Sequence, residues 1–370
     1  MTETSTEGTP GPATMRAWRV HSYGAPTEVL TLEAVEVPEP GPGEVRVKVA
    51  AIPLNLNDLE RITGGNMMAP PTFPYSPGME VFGVIDACGP GCEHLLGRRV
   101  AAITRQAHGG FAEFAICQAT AVFEIPEDID LPGAAALLFP FHLAWLGLVD
   151  RAELTAGETV LIHAGAGGSG SAAIQLAKHL GATVIATCGS AAKAQFCREL
   201  GADVVIDYTS ENITEIVMAT TDGRGVDVVF DNVGESVMDD SMRSIAYNGR
   251  YLMMGFASNK AIADEASIVP RRIAMGNFKL CGVLLNYTSD DMIALIKGAM
   301  GWNVAPLALG ERITTGIIDL VRSGALHPVV GSTPSFEELP RAITDMADRA
   351  TMGRSIVLVD PSSTAASSRS

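Results

Sequence analysis

Apolar and polar positions alternate along the first third of the chain. In 44–52, EVRVKVAAI, the residues Val45, Val47 and Val49 fall on one face, the period-2 signature of a half-buried strand. A Pro/Gly turn at 36–43 precedes it. Apolar runs at 16–20, 81–87, 99–104 and 111–117 predict further strands, and together they describe a β-rich unit of the partly open barrel kind.

The pattern changes near Pro132. Segment 131–149 is continuously apolar, rich in Ala and Leu, and predicts a helix. After it, apolar runs suited to buried parallel strands (159–164, 183–187, 203–206, 226–230, 250–254) alternate with helical periodicity at 169–180, 191–200, 211–219 and 236–246. Repeated βα units of this length specify a parallel sheet with helices on both faces. Beyond about residue 281 the rhythm breaks. Helices are expected at 290–300 and 313–322, and a last strand at 355–359 is expected to return to the first unit. The fold class is therefore α/β: a Rossmann doubly wound parallel sheet joined to a smaller, discontinuous β-rich domain.

Composition narrows the function. The net charge of −16 makes a surface that repels phosphate backbones, so no nucleic-acid partner is expected. No apolar run reaches the roughly 18 residues that cross a bilayer, so no membrane partner is expected either. Segment 1–14 is rich in Ser, Thr, Gly and Pro, lacks the apolar centre of a secretory leader, and, like 361–370, reads as a disordered tail. The six cysteines contain no C-x-x-C pair and read as free thiols of a cytoplasmic protein.

The sharpest chemical signal is HAGAGGSG, 163–170. Gly165, Gly167 and Gly170 satisfy G-x-G-x-x-G, following an apolar strand and opening an amphipathic helix. In that context Ala166, Gly167, Gly168, Ser169 and Gly170 offer backbone N–H groups and a helix start to a pyrophosphate. The next strand selects the cofactor. An NAD site usually ends it with Asp or Glu to hold the ribose 2′-OH. Here it ends in Thr187-Cys188-Gly189-Ser190, with Lys193 one turn on. A hydroxyl and an ammonium favour a 2′-phosphate, hence NADPH.

With these residues assembled, the chain resembles the medium-chain dehydrogenase/reductase superfamily, in its quinone oxidoreductase-like subgroup. The motifs are the A-x-x-G-G-x-G loop at Ala164–Gly170, CGSAAKAQFCRELGADVVIDY, GGFAEF and DNVGE, and the likeness spans about 15–359. The resemblance implies a GroES-like catalytic domain (15–141, resumed at 281–360) and a Rossmann NADPH-binding domain (142–280), with the nicotinamide in the cleft between them. It places the 2′-phosphate on Ser190, Lys193 and Tyr208. It places nicotinamide contacts on Asn55, Asn232, Gly255, Phe256 and Asn286, with Arg354 also within reach of the cofactor.

Zinc-dependent members of that superfamily carry Cys in a C-x-x-D stretch and His in G-H-E. This chain has Asn55-Leu56-Asn57-Asp58 and Gly78-Met79-Glu80 instead, so no metal is expected. Simple alcohol dehydrogenation then loses its Lewis acid. Hydride transfer to a quinone or α,β-unsaturated carbonyl remains, with Asn55, Asp58 and His142 as catalytic candidates. The tyrosine that enoyl-thioester reductases of this kind place after N-x-x-D is missing, and Met67, Met68 and Phe73 suggest an apolar wall for a small carbonyl or quinone substrate. Reduction of another carbonyl or an enoyl thioester, and NADPH binding without catalysis, stay open as alternatives. The apolar strand 279–285 could extend a sheet across a two-fold axis, and a homodimer is expected.

Overall fold

The computed structural model describes residues 13–65, 71–255, 268 and 270–359. Of the proposed tails, 1–12 and 361–370, together with Met67, Met68 and Phe256, lie outside the described residues; Thr14, placed in the first tail, instead begins the strand Thr14–Val20, which pairs with Leu30–Glu36.

The strands of the first half curl into a barrel. Glu44–Pro53 pairs antiparallel with Glu80–Cys88 on one edge and with Phe114–Glu124 on the other, and Arg99–Thr104 joins those two. Val45, Val47 and Val49 point inward at 0–4 % exposure, as their alternation predicts. The last strand, Arg354–Leu358, pairs antiparallel with the end of Glu44–Pro53. That pairing brings the C-terminal segment back beside the N-terminal barrel.

The second sheet has six parallel strands. Thr159–Ile162 lies centrally; Thr183–Cys188 and Val204–Asp207 follow on one side, Val226–Asp231, Ile245–Met253 and Lys279–Gly282 on the other. The strand order reverses beside Thr159–Ile162, where a doubly wound sheet opens a crevice for a dinucleotide. Val160, Leu161 and Ile162 are all fully buried, as expected of a strand covered on both faces.

Several local expectations are corrected. The single helix expected at 131–149 is three pieces: a 3₁₀ turn at Ala134–Ala136, an α-helix at Leu138–Trp145 and a π turn at Leu146–Arg151. Its apolar residues face several neighbours rather than one, so periodicity could not mark the breaks. The strand expected at 111–117 runs Phe114–Glu124, because Phe111 and Ala112 are drawn instead to Trp18 and Ala17 of the first strand. The strand Leu30–Glu36 and the helices Leu56–Thr63 and Leu339–Ala347 were not anticipated.

Candidate active site

The glycine loop leaves Thr159–Ile162 and enters the helix Gly168–His179. Gly170 and Gly168 leave little or no room for a side chain. A Cβ on Gly170 would sit 2.2 Å from the Ala164 carbonyl oxygen, and one on Gly168 would press the Arg354 side chain at 3.0 Å. The loop is pinned from outside as well: the Gly353 N–H donates to the Ala166 carbonyl (2.8 Å), and Gly353 bridges Gly167. Ser169 occupies the first turn of the helix, half-buried.

Ser190, Lys193 and Tyr208 come together at the ends of the second and third strands. Ser190 caps the helix Ala191–Glu199 by accepting from the Lys193 N–H (3.3 Å), which leaves its hydroxyl hydrogen for another acceptor. The Lys193 ammonium donates to the Arg349 carbonyl at 2.5 Å, and the Arg349 guanidinium donates to the Tyr208 hydroxyl at 3.4 Å. Arg349 was missed by sequence reasoning. It stands 156 positions from Lys193, outside every motif, and only the folded chain shows it completing a basic pocket with Lys193.

On the other side of the crevice, Asn232 follows the strand Val226–Asp231. Gly255 packs directly on it: a Cβ there would lie 2.0 Å from the Asn232 carbonyl carbon. The Asn232 Oδ1 is buried and accepts no hydrogen bond among the described residues. A glycine-moulded turn that carries an unpaired acceptor fits a ligand that brings its own donor, such as a nicotinamide carboxamide. Asn286 is exposed between Lys279–Gly282 and Tyr287–Thr288.

The catalytic candidates are placed less as expected. Asn55 is 7 % exposed and its amide is spent on the protein: Nδ2 donates to the Pro53 carbonyl (3.2 Å) and to Glu80 Oε2 (3.1 Å), while Oδ1 accepts from Arg354 (2.9 Å). An NH₂ group has two hydrogens, so none remains to polarise a substrate carbonyl. Asp58 is fully buried and accepts the backbone N–H groups of Asn55 and Met79, both at 2.9 Å. It fixes the turn that begins the helix Leu56–Thr63. Burial lifts its carboxyl to about 6, against the lowering influence of Arg61. His142 is corrected in the same way. At 2 % exposure its ring meets Tyr287 OH (3.0 Å) and Thr314 Oγ1 (3.2 Å), and burial depresses it to about 3, so it is a neutral packing residue with both nitrogens engaged. Phe73 forms an aromatic tier with Tyr23 and Tyr75 on the barrel surface.

Arg354 is the hub of this region. Its guanidinium, 4 % exposed, pairs with the fully buried Glu80 at 2.7 Å and also reaches the Leu54 carbonyl. The Arg354 guanidinium thus takes up the acceptor atoms of Asn55 and Glu80. Neutral amide and thioether at Asn55 and Met79 are also poor zinc donors. The donor set does not fit zinc, and among the described residues no other group of three or more His, Cys, Asp or Glu converges.

Comparison with known proteins agrees with this architecture. The family model described as alcohol dehydrogenase GroES-like domain matches residues 41–127, and the one described as zinc-binding dehydrogenase matches 168–299. A 2-haloacrylate reductase of Burkholderia sp is 31 % identical, over 92 % of this chain and 97 % of the relative. A quinone oxidoreductase of Pseudomonas aeruginosa is 30 % identical, over 91 % and 97 %. Among solved structures, Escherichia coli quinone oxidoreductase complexed with NADPH superimposes with a TM-score of 0.79 at 26 % identity, covering 94 % of this chain and all of that one. The chain belongs to the medium-chain dehydrogenase/reductase superfamily, in its quinone oxidoreductase-like family.

Proposed function

We propose that this oxidoreductase uses NADPH to reduce a quinone or an α,β-unsaturated carbonyl, without a metal. The supporting observation is the Arg354–Glu80–Asn55 network, in which the side chain standing at the zinc-ligand place of the motif is a neutral amide already bonded to Glu80 and Arg354. When bound, NADPH supplies the hydride. The glycine loop and the helix start at Gly168 hold its pyrophosphate, Ser190, Lys193, Tyr208 and Arg349 hold its 2′-phosphate, and Asn232 and Gly255 border the nicotinamide.

The chemistry of the product explains the choice of substrate. Reduction of a simple ketone leaves an alkoxide that needs a strong proton donor. A quinone leaves a phenolate-like oxygen, whose acid is about as strong as tyrosine, roughly pKa 10, and water can protonate it. A conjugated enone delocalises the charge similarly. A site with its polar side chains already paired suits those acceptors, and the 2-haloacrylate reductase relative supports the conjugated-alkene side of the range.

The test is to mix protein and NADPH with a panel of quinones, enones and simple ketones and to follow loss of the reduced nicotinamide. Turnover of quinones or enones, unchanged by prior dialysis against EDTA, is expected. Turnover confined to simple ketones and abolished by the chelator refutes the proposal.

We also infer a homodimer. Lys279–Gly282 is an edge strand with Leu280 37 % exposed, and Leu284, Met292, Leu295 and Met300 are exposed nearby in sequence. Light scattering is expected to give twice the chain mass, and Leu280→Lys is expected to give the monomer.

A further inference from the structure

A buried polar network lies under the crevice and uses none of the residues assigned to the cofactor. His163, fully buried at the exit of the central strand, bonds Thr187 Oγ1 (3.2 Å) through Nδ1 and Ser241 Oγ (2.9 Å) through Nε2. Thr187 also accepts from the backbone N–H of Ala164 (3.3 Å), at the start of the glycine loop. Ser241 sits on the helix Glu235–Ser244, which directly follows the Asn232 turn. On the sheet beside it, the Tyr251 hydroxyl donates to Asp231 Oδ2 at 2.5 Å. The second oxygen of Asp231 accepts the backbone N–H groups of Val233 (2.8 Å) and Gly234 (2.9 Å). Those bonds shape the turn that presents Asn232.

The hydrogens fit one order. Ser241 donates to the Val237 carbonyl (2.8 Å), so it accepts from His163 Nε2–H. His163 Nδ1 then accepts from the Thr187 hydroxyl. This needs a neutral imidazole, and burial of His163 lowers its affinity for a second proton. Two sets of bonds thus brace the Asn232 turn: Tyr251 holds Asp231 at its start, and His163 ties the helix after it, through Ser241, to Thr187 and the entry to the glycine loop.

We propose that Tyr251, with Asp231, Ser241 and His163, is a positioning residue that sets the nicotinamide-side loop of the cofactor site against the glycine loop. This rests on the reading of the crevice as an NADPH site. The Asp231–Tyr251 pair lies on the half of the sheet opposite Lys193 and Tyr208. Its loss should therefore affect the nicotinamide half of the ligand and spare the adenosine half.

Tyr251→Phe removes one buried hydroxyl and keeps the ring. Titration calorimetry of the variant is expected to show NADPH binding weakened about tenfold, the size of one lost hydrogen bond to a charged group, with adenosine 2′,5′-bisphosphate within about twofold of wild type. A merely structural role would weaken both ligands together, and that result, or unchanged NADPH binding, overturns the assignment. If Tyr251→Phe does not fold, Ser241→Ala removes the hydroxyl that ties the helix after the turn to His163 and is expected to weaken NADPH about threefold, as loss of a neutral bond does, again sparing the bisphosphate; equal loss of both ligands, or none, overturns it likewise. Wild-type protein that binds neither ligand overturns the cofactor reading itself, whereas normal wild-type binding with an unselective variant overturns the network alone.

Discussion

Lys193→Glu is expected to lower kcat/KM for NADPH by about 100-fold, equivalent to roughly 2.7 kcal/mol, and to leave NADH within about threefold. The Lys193 ammonium is drawn to the Arg349 carbonyl at 2.5 Å, in a half-exposed pocket whose second cation is Arg349 itself. A 2′-phosphate carries close to two negative charges, and a charge-assisted bond to it contributes more than a neutral one. Glutamate exchanges that attraction for repulsion, whereas NADH presents only a hydroxyl. Because the pocket is wet, the NADPH penalty should shrink as salt is raised. Steady-state kinetics with both cofactors at two ionic strengths decide the matter. Equal losses with NADPH and NADH would remove Lys193 from the 2′-phosphate site. Arg349→Glu should act in the same direction.

The second large effect is expected at Arg354→Met. The substitution keeps much of the volume but strands Glu80, which has no solvent exposure and would retain only Asn55 and the Phe139 N–H as partners. Breaking a buried ion pair from one side costs about 3–5 kcal/mol. At roughly 2–4 °C per kcal/mol for a protein of this class, the melting temperature should fall by about 10 °C. The double variant Glu80→Gln/Arg354→Met should recover most of that loss, since no charge is left uncompensated. Thermal unfolding of the two variants checks the argument, and a double variant no more stable than the single one would defeat it.

What was legible in the sequence follows from the range over which each feature acts. The glycine loop, the acid-free end of the second strand and the alternation at Val45, Val47 and Val49 are local, and periodicity or spacing reveals them. The replacements at Asn55 and Met79 were visible by their chemistry. Other features depend on partners far along the chain. That both hydrogens of the Asn55 amide are consumed depends on Pro53 and on Glu80, 25 positions on. That His142 is sealed depends on Tyr287 and Thr314, 145 and 172 positions away. A lone imidazole near a cleft reads as a proton donor until its neighbours are known. Arg349 carried no motif, and the breaks in 131–149 had no polar residue to mark them. The long helix Leu307–Arg322 starts six residues before its expected beginning at Ile313, because Leu307, Leu309 and Gly310 pack against the core and hide its first turns.

The pairing of Arg354–Leu358 with Glu44–Pro53 also fixes an order of assembly. Arg354 and Leu54, which it touches, are 300 positions apart, whereas the parallel sheet is built from one stretch, Thr159 to Gly282. Closing a loop of that length costs about 5 kcal/mol of chain entropy beyond a constant, and nothing repays it until both ends exist. During synthesis the parallel sheet can form while the barrel still waits for its final strand. The residue that pairs with Glu80 and orients Asn55 leaves the ribosome with that strand. The nucleotide-binding half can thus mature first, and the barrel is completed only once the strand Arg354–Leu358 has emerged.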